Sequence, residues 1–574
     1  MKTPLHLPIL QWLPRYDRGR LGRDLTAALF LTIMMVPQSL AFALLAGLPP
    51  QVGLYASIAP LVLYALLGTS QSLSVGPVAL IALMTATTLG PLFPSGSSEY
   101  LAGAVILACL TGAMLVVMGL LRMGFLANFL SHPVISGFIT ASALVIMASQ
   151  VPALLGLQSR GHNLAGIAAS LWPQRGDWHG LSLLMGAGVL LYLVLARTVL
   201  QGALVSLGLP ERGARVISKA SPIVAVVVTT ALTAWLSLDT QGLAVVGAVP
   251  SGLPAISLPP SVDGQWQPLL LGALLIAVVG FVQSVSVAQM LAARERRHVD
   301  PDQELLGLGA ANLAAGFSGA MPVMGSLSRS VLAYDAGAST PASGVFTAMA
   351  IALATLFLTP AIAYLPVVTL AATIIVAVAP LVDFAALRRI YRYNRADFTA
   401  MLVTLLLTLL HSVALGLMAG VALSLALFVY RTSKPHTAVL GRVPGTEHFR
   451  NVRRHRVETY PDFLLLRVDE SLYFANARFL EEAVMALVSQ HKSLQDLVLV
   501  CPAVNLIDAS ALDSLDTIQA RLKDAGVRLH LSEVKGPVMD RLRETDFFAG
   551  LSGRVFLSTY DAWCALRPQP NSGP

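Results

Sequence analysis

Charged side chains are scarce in this chain. Its 574 residues include 38 Lys and Arg and 31 Asp and Glu, 12% together, about half of what a soluble protein carries. With 55% hydrophobic residues and a mean hydropathy of +0.70, an ordinary soluble globule is excluded and a polytopic membrane protein remains. Cysteine is rarer still. Cys109, Cys501 and Cys564 are odd in number and far apart, so they supply neither a disulfide framework nor a metal site. The first residues lack the short apolar core and small-residue cleavage site of a secretory signal, and residues 1–24 read as a basic cytoplasmic leader. No nucleophile–base pair, phosphate-binding loop or metal cluster stands out. The expectation is a protein that is not an enzyme and needs no cofactor. The net charge of +7 does not imply nucleic acid, because the positive charges lie in short loops between apolar segments.

From residue 25 to residue 121 the only charged side chain is Glu99, and stretches of about 20 apolar residues are long enough to cross a bilayer. Spans are expected near 25–47, 52–69, 76–91, 100–121, 132–156, 180–200 and 221–240. Seven more follow near 268–293, 304–320, 326–339, 342–359, 361–381, 397–412 and 413–431. The arginines and lysines support this count. They cluster before the first span (Arg15, Arg18, Arg20, Arg23) and after even-numbered ones: Arg122; Arg197, Arg212, Arg215 and Lys219; Arg294, Arg296 and Arg297; Arg388, Arg389, Arg392 and Arg395; Arg431 and Lys434. Such alternation places both termini in the cytoplasm. The opposite-side connections 158–180 and 241–267 are longer and carry only Arg160 and Arg175 as basic residues.

One apolar region carries an exception. Residues 321–340, MPVMGSLSRSVLAYDAGAST, hold Arg329 among Ser326, Ser328 and Ser330. An arginine inside a membrane span is a functional-site candidate by default. Pro322 and Gly325 interrupt a helix, and Ser326 or Ser328 can cap a new one. A half-helix N-terminus presents free N–H groups and a positive dipole end to an anion, and Arg329 would add a full charge. Seven spans earlier, SLSVGPVALIA (72–82) repeats the design, with Gly76-Pro77 ahead of an apolar run and proline tolerated in a first helical turn. Paired interrupted segments in two halves point to a transporter site built from inverted repeats. The plainer readings are a cytoplasmic loop for Arg329 and an ordinary kink for Gly76-Pro77.

After Lys434 the composition changes. Residues 435–460 are basic and form a linker or edge strand, and 461–566 alternate short apolar strands (463–468, 497–501, 527–532) with helices (477–489, 510–525, 537–544). That pattern argues for a small α/β domain, with 567–574 as a tail. In NLIDASA (505–511) Asp508 is placed to cap the helix that follows.

Four stretches together carry a resemblance to the SulP anion permease family, which includes animal anion exchangers and prestin. They are VPQSLAFALLAGLPPQVGLYAS (36–57), LGTSQSLSVGPVALIALM (67–84), DQELLGLGAANL (302–313) and GSLSRS (325–330). The tail resembles a STAS domain, and the likeness runs from Asp24 to about Leu566. It implies a polytopic α-helical fold of fourteen spans as seven plus seven inverted repeats, with core and gate domains and a cytoplasmic STAS domain. It implies a secondary transporter of small inorganic anions, sulfate first and bicarbonate or chloride next; the missing secretory signal and a cytoplasmic tail fit an inner membrane. Carried over by position, the anion lies between the starts of spans three and ten, against Gln38, Phe42, Val78, Leu327, Ser328 and Arg329. A homodimer and a cytoplasmic partner of the STAS domain are further implications. Two departures from the family pattern matter. Gln283, in GFVQSVSVAQM (280–290), stands where many bacterial relatives carry a carboxylate. Coupling to a proton or Na⁺ through that position is thereby weakened, and exchange or uncoupled movement favoured. Asp335, His411 and Glu304 are the other titratable candidates, Glu304 and Asp302 reading as the start of span nine. Ser510 sits in Asp508-Ala509-Ser510-Ala511, where related modules end in glycine and some are phosphorylated. Alternatives are a proton- or sodium-coupled dicarboxylate or bicarbonate symporter, a nucleobase–cation symporter of the same architecture, and a signalling protein anchored by its spans. Gln283 and Ser328–Ser330 count against the nucleobase reading.

Overall fold

The computed structural model describes residues 7–128, 131–157, 161, 163–211, 214, 217–218, 221–247, 250, 252–259 and 266–567. Arg160, Arg212, Arg215, Lys219 and residues 568–574, all used above, lie outside the described residues. The chain divides into two compact units, Met1–Ala422 and Leu423–Pro574.

Each of the fourteen apolar stretches carries a described helix. In chain order these are α1 (Arg18–Leu45), α2 (Ala59–Leu67, preceded by the short helix Pro50–Tyr55), α3 (Ala79–Leu89), α4 (Ser98–Leu120), α5 (His132–Leu155), α6 (Gly180–Leu195) and α7 (Pro222–Leu236). The second seven are α8 (Trp266–Arg294), α9 (Pro301–Phe317), α10 (Leu327–Asp335), α11 (Ala342–Phe357), α12 (Val367–Val378), α13 (Arg395–Leu410) and α14 (Val413–Ser433). Among the described residues, eight helical stretches are long and apolar enough to cross a membrane. Where the bundle is tightest, glycine permits it. A Cβ on Gly112 of α4 would come within 2.7 Å of the Leu313 nitrogen, and one on Gly309 of α9 within 2.9 Å of the Val116 nitrogen. The two backbones therefore touch, as small residues allow in membrane helix pairs.

The structure departs from the sequence expectation in several places. Helix α1 begins at Arg18, with the Asp17 side chain accepting from the Arg20 N–H at 2.7 Å, so the end of the expected leader, from Arg18 to Asp24, belongs to the first long helix. The expected span 361–381 is broken: a short helix, Thr359–Ile362, precedes α12, and Pro366 between them bridges to Val245. The connection 158–180 contains a helix, Leu164–Leu171, capped by Asn163. The arginine cluster after span twelve is also helical, at Phe384–Tyr393.

The second unit is a six-stranded sheet in the order β4-β3-β5-β6-β7-β8. The strands are β3 (Thr437–Arg442), β4 (Phe449–Asn451), β5 (Phe463–Val468), β6 (Asp496–Val500), β7 (Arg528–Ser532) and β8 (Val555–Phe556), with β1 and β2 reserved for a pair in the first unit. β5 to β8 run parallel, while β3 is antiparallel to both neighbours. The expected linker thus contributes two strands. Leu464, Leu466, Leu497 and Leu499 face α15 (Ala477–Gln490) and α16 (Ala509–Asp524), and Phe463, Leu465 and Val498 pack with Trp563 on the other face. Burial on both faces explains the continuous apolar run of β6.

One polar cluster interrupts that core. His530 of β7 donates from Nε2 to Asp496 of β6 at 2.8 Å, and its Nδ1 accepts from the Arg554 N–H at 2.9 Å. Arg528 holds the same carboxylate with two bonds of 2.7 and 2.8 Å. Burial pulls the His530 imidazole below its ordinary value, with the Asp496 carboxylate pulling the other way. A proton added at Nδ1 would face a backbone N–H. The stability that neutral His530 contributes is complete above its unfolded value of about 6.5 and is lost as pH falls through the lower folded value. Hydrogen exchange of the β6–β8 amides, corrected for intrinsic rates, should therefore accelerate between pH 7 and pH 5. In His530→Gln that dependence should flatten. An equal dependence in both proteins would show that another group is responsible.

Candidate functional site

Two interruptions of helical structure meet inside the first unit. β1 (Val75–Gly76) pairs antiparallel with β2 (Met324–Gly325), Val75 opposite Gly325 and Gly76 opposite Met324, and the Ser326 N–H donates to the Ser74 carbonyl at 3.0 Å. Proline and glycine set this up: Pro77 and Pro322 offer no N–H, so a helix passing through either would lose a backbone bond. Backbone groups outside a helix and buried from water need other partners. Short polar side chains supply them. The Gly325 N–H donates to Ser284 Oγ of α8 and the Ser74 N–H to Ser330 Oγ, each at 2.9 Å. Asn312 of α9 accepts from the Val323 N–H and donates to its carbonyl, both at 2.9 Å.

The two strands lead into α3 and α10, so two helix N-termini converge on the ladder from opposite directions. Val78 and Ser326 are the capping positions, and neither makes a side-chain capping bond. The serine cap expected from the sequence is absent because Ser326 Oγ turns to Ser328 Oγ, 3.3 Å away. Pro77, expected in the first turn of α3, lies ahead of its cap in extended backbone. Uncapped first turns keep their N–H groups and dipole available to an anion.

Arg329, third residue of α10, is fully buried. Its Nη1 donates to the Pro77 carbonyl at 2.7 Å, tying the start of one half-helix to the approach of the other. Nε and Nη2 are buried with no hydrogen-bond partner, and no carboxylate pairs with the guanidinium among the described residues. Gly76 makes the close approach possible: a Cβ there would sit 3.3 Å from Arg329 Nη2 and 2.9 Å from Met35 Cε. Met35, Gln38 and Phe42 follow at helical spacing on α1 and share the face that meets Gly76. Gln38 and Phe42 are buried, as is Val78, whereas Leu327 and Ser328 are exposed.

The structure thus gathers Val78, Leu327, Ser328 and Arg329 around the ladder, with the Gln38–Phe42 face of α1 beside it. Gln283 of α8 precedes Ser284, which holds β2, and its buried Oε1 has no partner among the described residues. Asp335 ends α10, at the far end of that helix from Ser326. His411 caps the C-terminus of α13 and is exposed, its carbonyl accepting from Asn163. Ser510 is exposed at the second residue of α16, and Asp508 caps that helix, accepting from the Ala511 N–H at 2.9 Å and the Phe474 N–H at 2.8 Å.

Two buried carboxylates escaped the sequence reading as a pair. Asp24 of α1 accepts from the Ser339 N–H at 2.7 Å, the Thr340 N–H at 3.2 Å, both hydroxyls of those residues, and Tyr16. Glu304 of α9, expected to begin span nine, accepts from the Thr69 N–H at 2.7 Å, Thr69 Oγ1 at 2.6 Å, the Ser70 N–H at 3.1 Å and Tyr64 at 2.8 Å. Each carboxylate sits in one half of the chain and holds a turn of the other: the turn before β1 for Glu304, the turn after α10 for Asp24. Glu304→Ala would leave the Tyr64 hydroxyl and two backbone N–H groups without an acceptor, at about 1–3 kcal/mol apiece. It should lower the yield of monodisperse protein on size-exclusion chromatography sharply, and Glu304→Gln less. Gly76→Ala should yield folded protein with a displaced Arg329 and impaired function, whereas full function would show that the close approach is dispensable.

Comparison with known proteins adds a lineage to this geometry. The model of the sulfate permease family matches residues 21–404, and that of the STAS domain residues 454–562. The chloroplastic sulfate transporter 4.1 of Arabidopsis thaliana is 34% identical over 92% of this chain and 77% of its own length. A probable sulfate transporter of Mycobacterium tuberculosis (strain CDC 1551 / Oshkosh) is 33% identical over 92% of each chain. Among solved structures, the murine Solute Carrier 26 family member A9 anion transporter shares the fold, with a TM-score of 0.89 at 24% identity over 97% of this chain and 93% of its own. The transmembrane domain of the cyanobacterial bicarbonate transporter BicA matches 71% of this chain and 98% of its own, with a TM-score of 0.60 at 21% identity. The chain belongs to the sulfate permease family, as a multi-pass membrane protein with a C-terminal STAS domain.

Proposed function

We propose that this protein moves small inorganic anions, sulfate foremost, across a membrane by alternating access, and that the anion binds between the N-termini of α3 and α10. One observation carries the reading: Arg329 is fully buried between two uncapped helix starts, with Nε and Nη2 unpartnered. An isolated buried charge is strongly unfavourable, and an anion against those two N–H groups offsets it. Nε and Nη2 form one edge of the guanidinium fork, which suits the paired oxygens of an oxyanion better than a spherical halide. Ser328 and the Gln38 amide supply further donors. Relatives named as sulfate transporters support sulfate as first choice, with bicarbonate and chloride behind.

Gln283 cannot titrate. Exchange or uncoupled movement is therefore the favoured mode, and Asp335 remains the coupling candidate should a cation gradient drive uptake. The alternation of basic clusters supports a cytoplasmic side for both termini, which suits an inner membrane. Ser510, exposed in the first turn of α16, is the regulatory candidate, since a phosphate there would meet the positive end of the helix dipole. Unchanged transport and surface level in both Ser510→Ala and Ser510→Asp would dismiss it.

Labelled sulfate uptake into proteoliposomes tests the main reading. Wild-type protein should need no pH or Na⁺ gradient, a requirement for an internal counter-anion marking exchange, and Arg329→Ala should reduce uptake at least about 30-fold, as expected for truncating one partner of a buried charged contact. Gln283→Glu should introduce a pH dependence that the wild type lacks. Wild-type uptake driven by a pH or Na⁺ gradient would overturn the exchange mode. Folded protein that moves none of sulfate, bicarbonate or chloride would overturn the transport reading.

A further inference from the structure

The helix Phe384–Tyr393, FAALRRIYRY, joins α12 to α13. Its inward face is small. Ala386 is buried, Leu387 and Ile390 are half-buried, and the helix packs on α5 and α13. At 3.6 residues per turn, Arg388, Arg389 and Arg392 fall together on the opposite face, and all three are exposed. Phe384 and Tyr391 stand on the border between these faces, 62% and 51% exposed. Tyr391 is set edge-on against Phe398 of α13 with ring centroids 5.0 Å apart. Arg395 opens α13 and is also exposed.

These four guanidiniums are uncommitted: among the described residues none makes a side-chain hydrogen bond or ion pair. The neighbouring carboxylates are engaged. Asp383 caps the helix, accepting from the Ala386 N–H at 2.8 Å, and Asp397 has a partner of its own. A helix fastened at both ends to membrane spans stays at the membrane surface. In water, Phe384 and Tyr391 would be exposed without benefit. In the headgroup layer, aromatic rings occupy the depth they favour and arginines reach outward to phosphates.

We propose that this helix is a binding site for an acidic phospholipid, its phosphate held by Arg388 and Arg392, one turn apart on the same face, and its glycerol region lying against Phe384 and Tyr391. Four unpaired positive charges within eight residues complement an anionic headgroup and not a zwitterionic one. Each arginine near an anionic membrane surface strengthens attraction about fivefold.

Native mass spectrometry of the purified full-length protein, released from micelles containing equal phosphatidylglycerol and phosphatidylethanolamine, tests this. Wild-type protein should retain phosphatidylglycerol preferentially, and R388Q/R392Q should lose that preference about tenfold or more. R454Q/R456Q, which removes the same charge from exposed positions of the soluble unit, should keep it. No preference in the wild type, an unchanged preference in R388Q/R392Q, or equal loss in both variants would overturn the proposal. The readout involves no transport, so its failure is separate from failure of the transport reading.

Discussion

A guanidinium donating to a proline carbonyl, Arg329 to Pro77, is the contact on which the centre of this protein depends. The ladder it accompanies is only two residues long on each side, too short to fix two helices by itself. The carbonyl that receives Arg329 belongs to the residue just before the cap of α3. One side chain of α10 therefore positions the start of α3. One half of the chain supplies the acceptor and the other half the donor, which satisfies one of the three guanidinium nitrogens. The side chains of Ser284, Ser330 and Asn312 are spent on backbone that two prolines and two glycines keep out of helix. They leave the arginine's other edge unpaired.

Much of this was legible in the sequence, and for definite reasons. Gly76-Pro77 and the Pro322–Arg329 stretch announce interrupted helices because each breaks a long apolar run with residues that disfavour its continuation. The alternation of arginine clusters is the sequence's argument for an even number of spans. The partners of Asp24 and Glu304 were not legible. Apart from two tyrosines, they are serines and threonines from 234 to 316 residues away, and such residues carry no pattern of their own. The helix Phe384–Tyr393 was hidden because its arginines lower local hydropathy below that of a span while its apolar positions are few. The capping error at Ser326 arose because residue type states what a side chain can do, whereas Ser328 next to it decides what it does.

The soluble unit shows the same division. The alternation of strands and helices after residue 461 is evident in apolar spacing, and Asp508 caps α16 as its position suggested. Asp496 could not be interpreted alone. It begins a strand buried on both faces and is tolerated only because Arg528 and His530 arrive on the adjacent strand, paired in register with Asp496 and Val498.

The crossed tethers of Asp24 and Glu304 bear on how the protein is made. Asp24 emerges from the ribosome early, and the turn that donates to it follows 315 residues later. At about 5–20 residues per second, that separation amounts to about 15–60 s of synthesis. Throughout that interval the first half sits in the bilayer with a carboxylate and a discontinuous helix whose partners do not yet exist. Insertion and folding are thus separate events for this chain, and the first half becomes native only when the second arrives to close it.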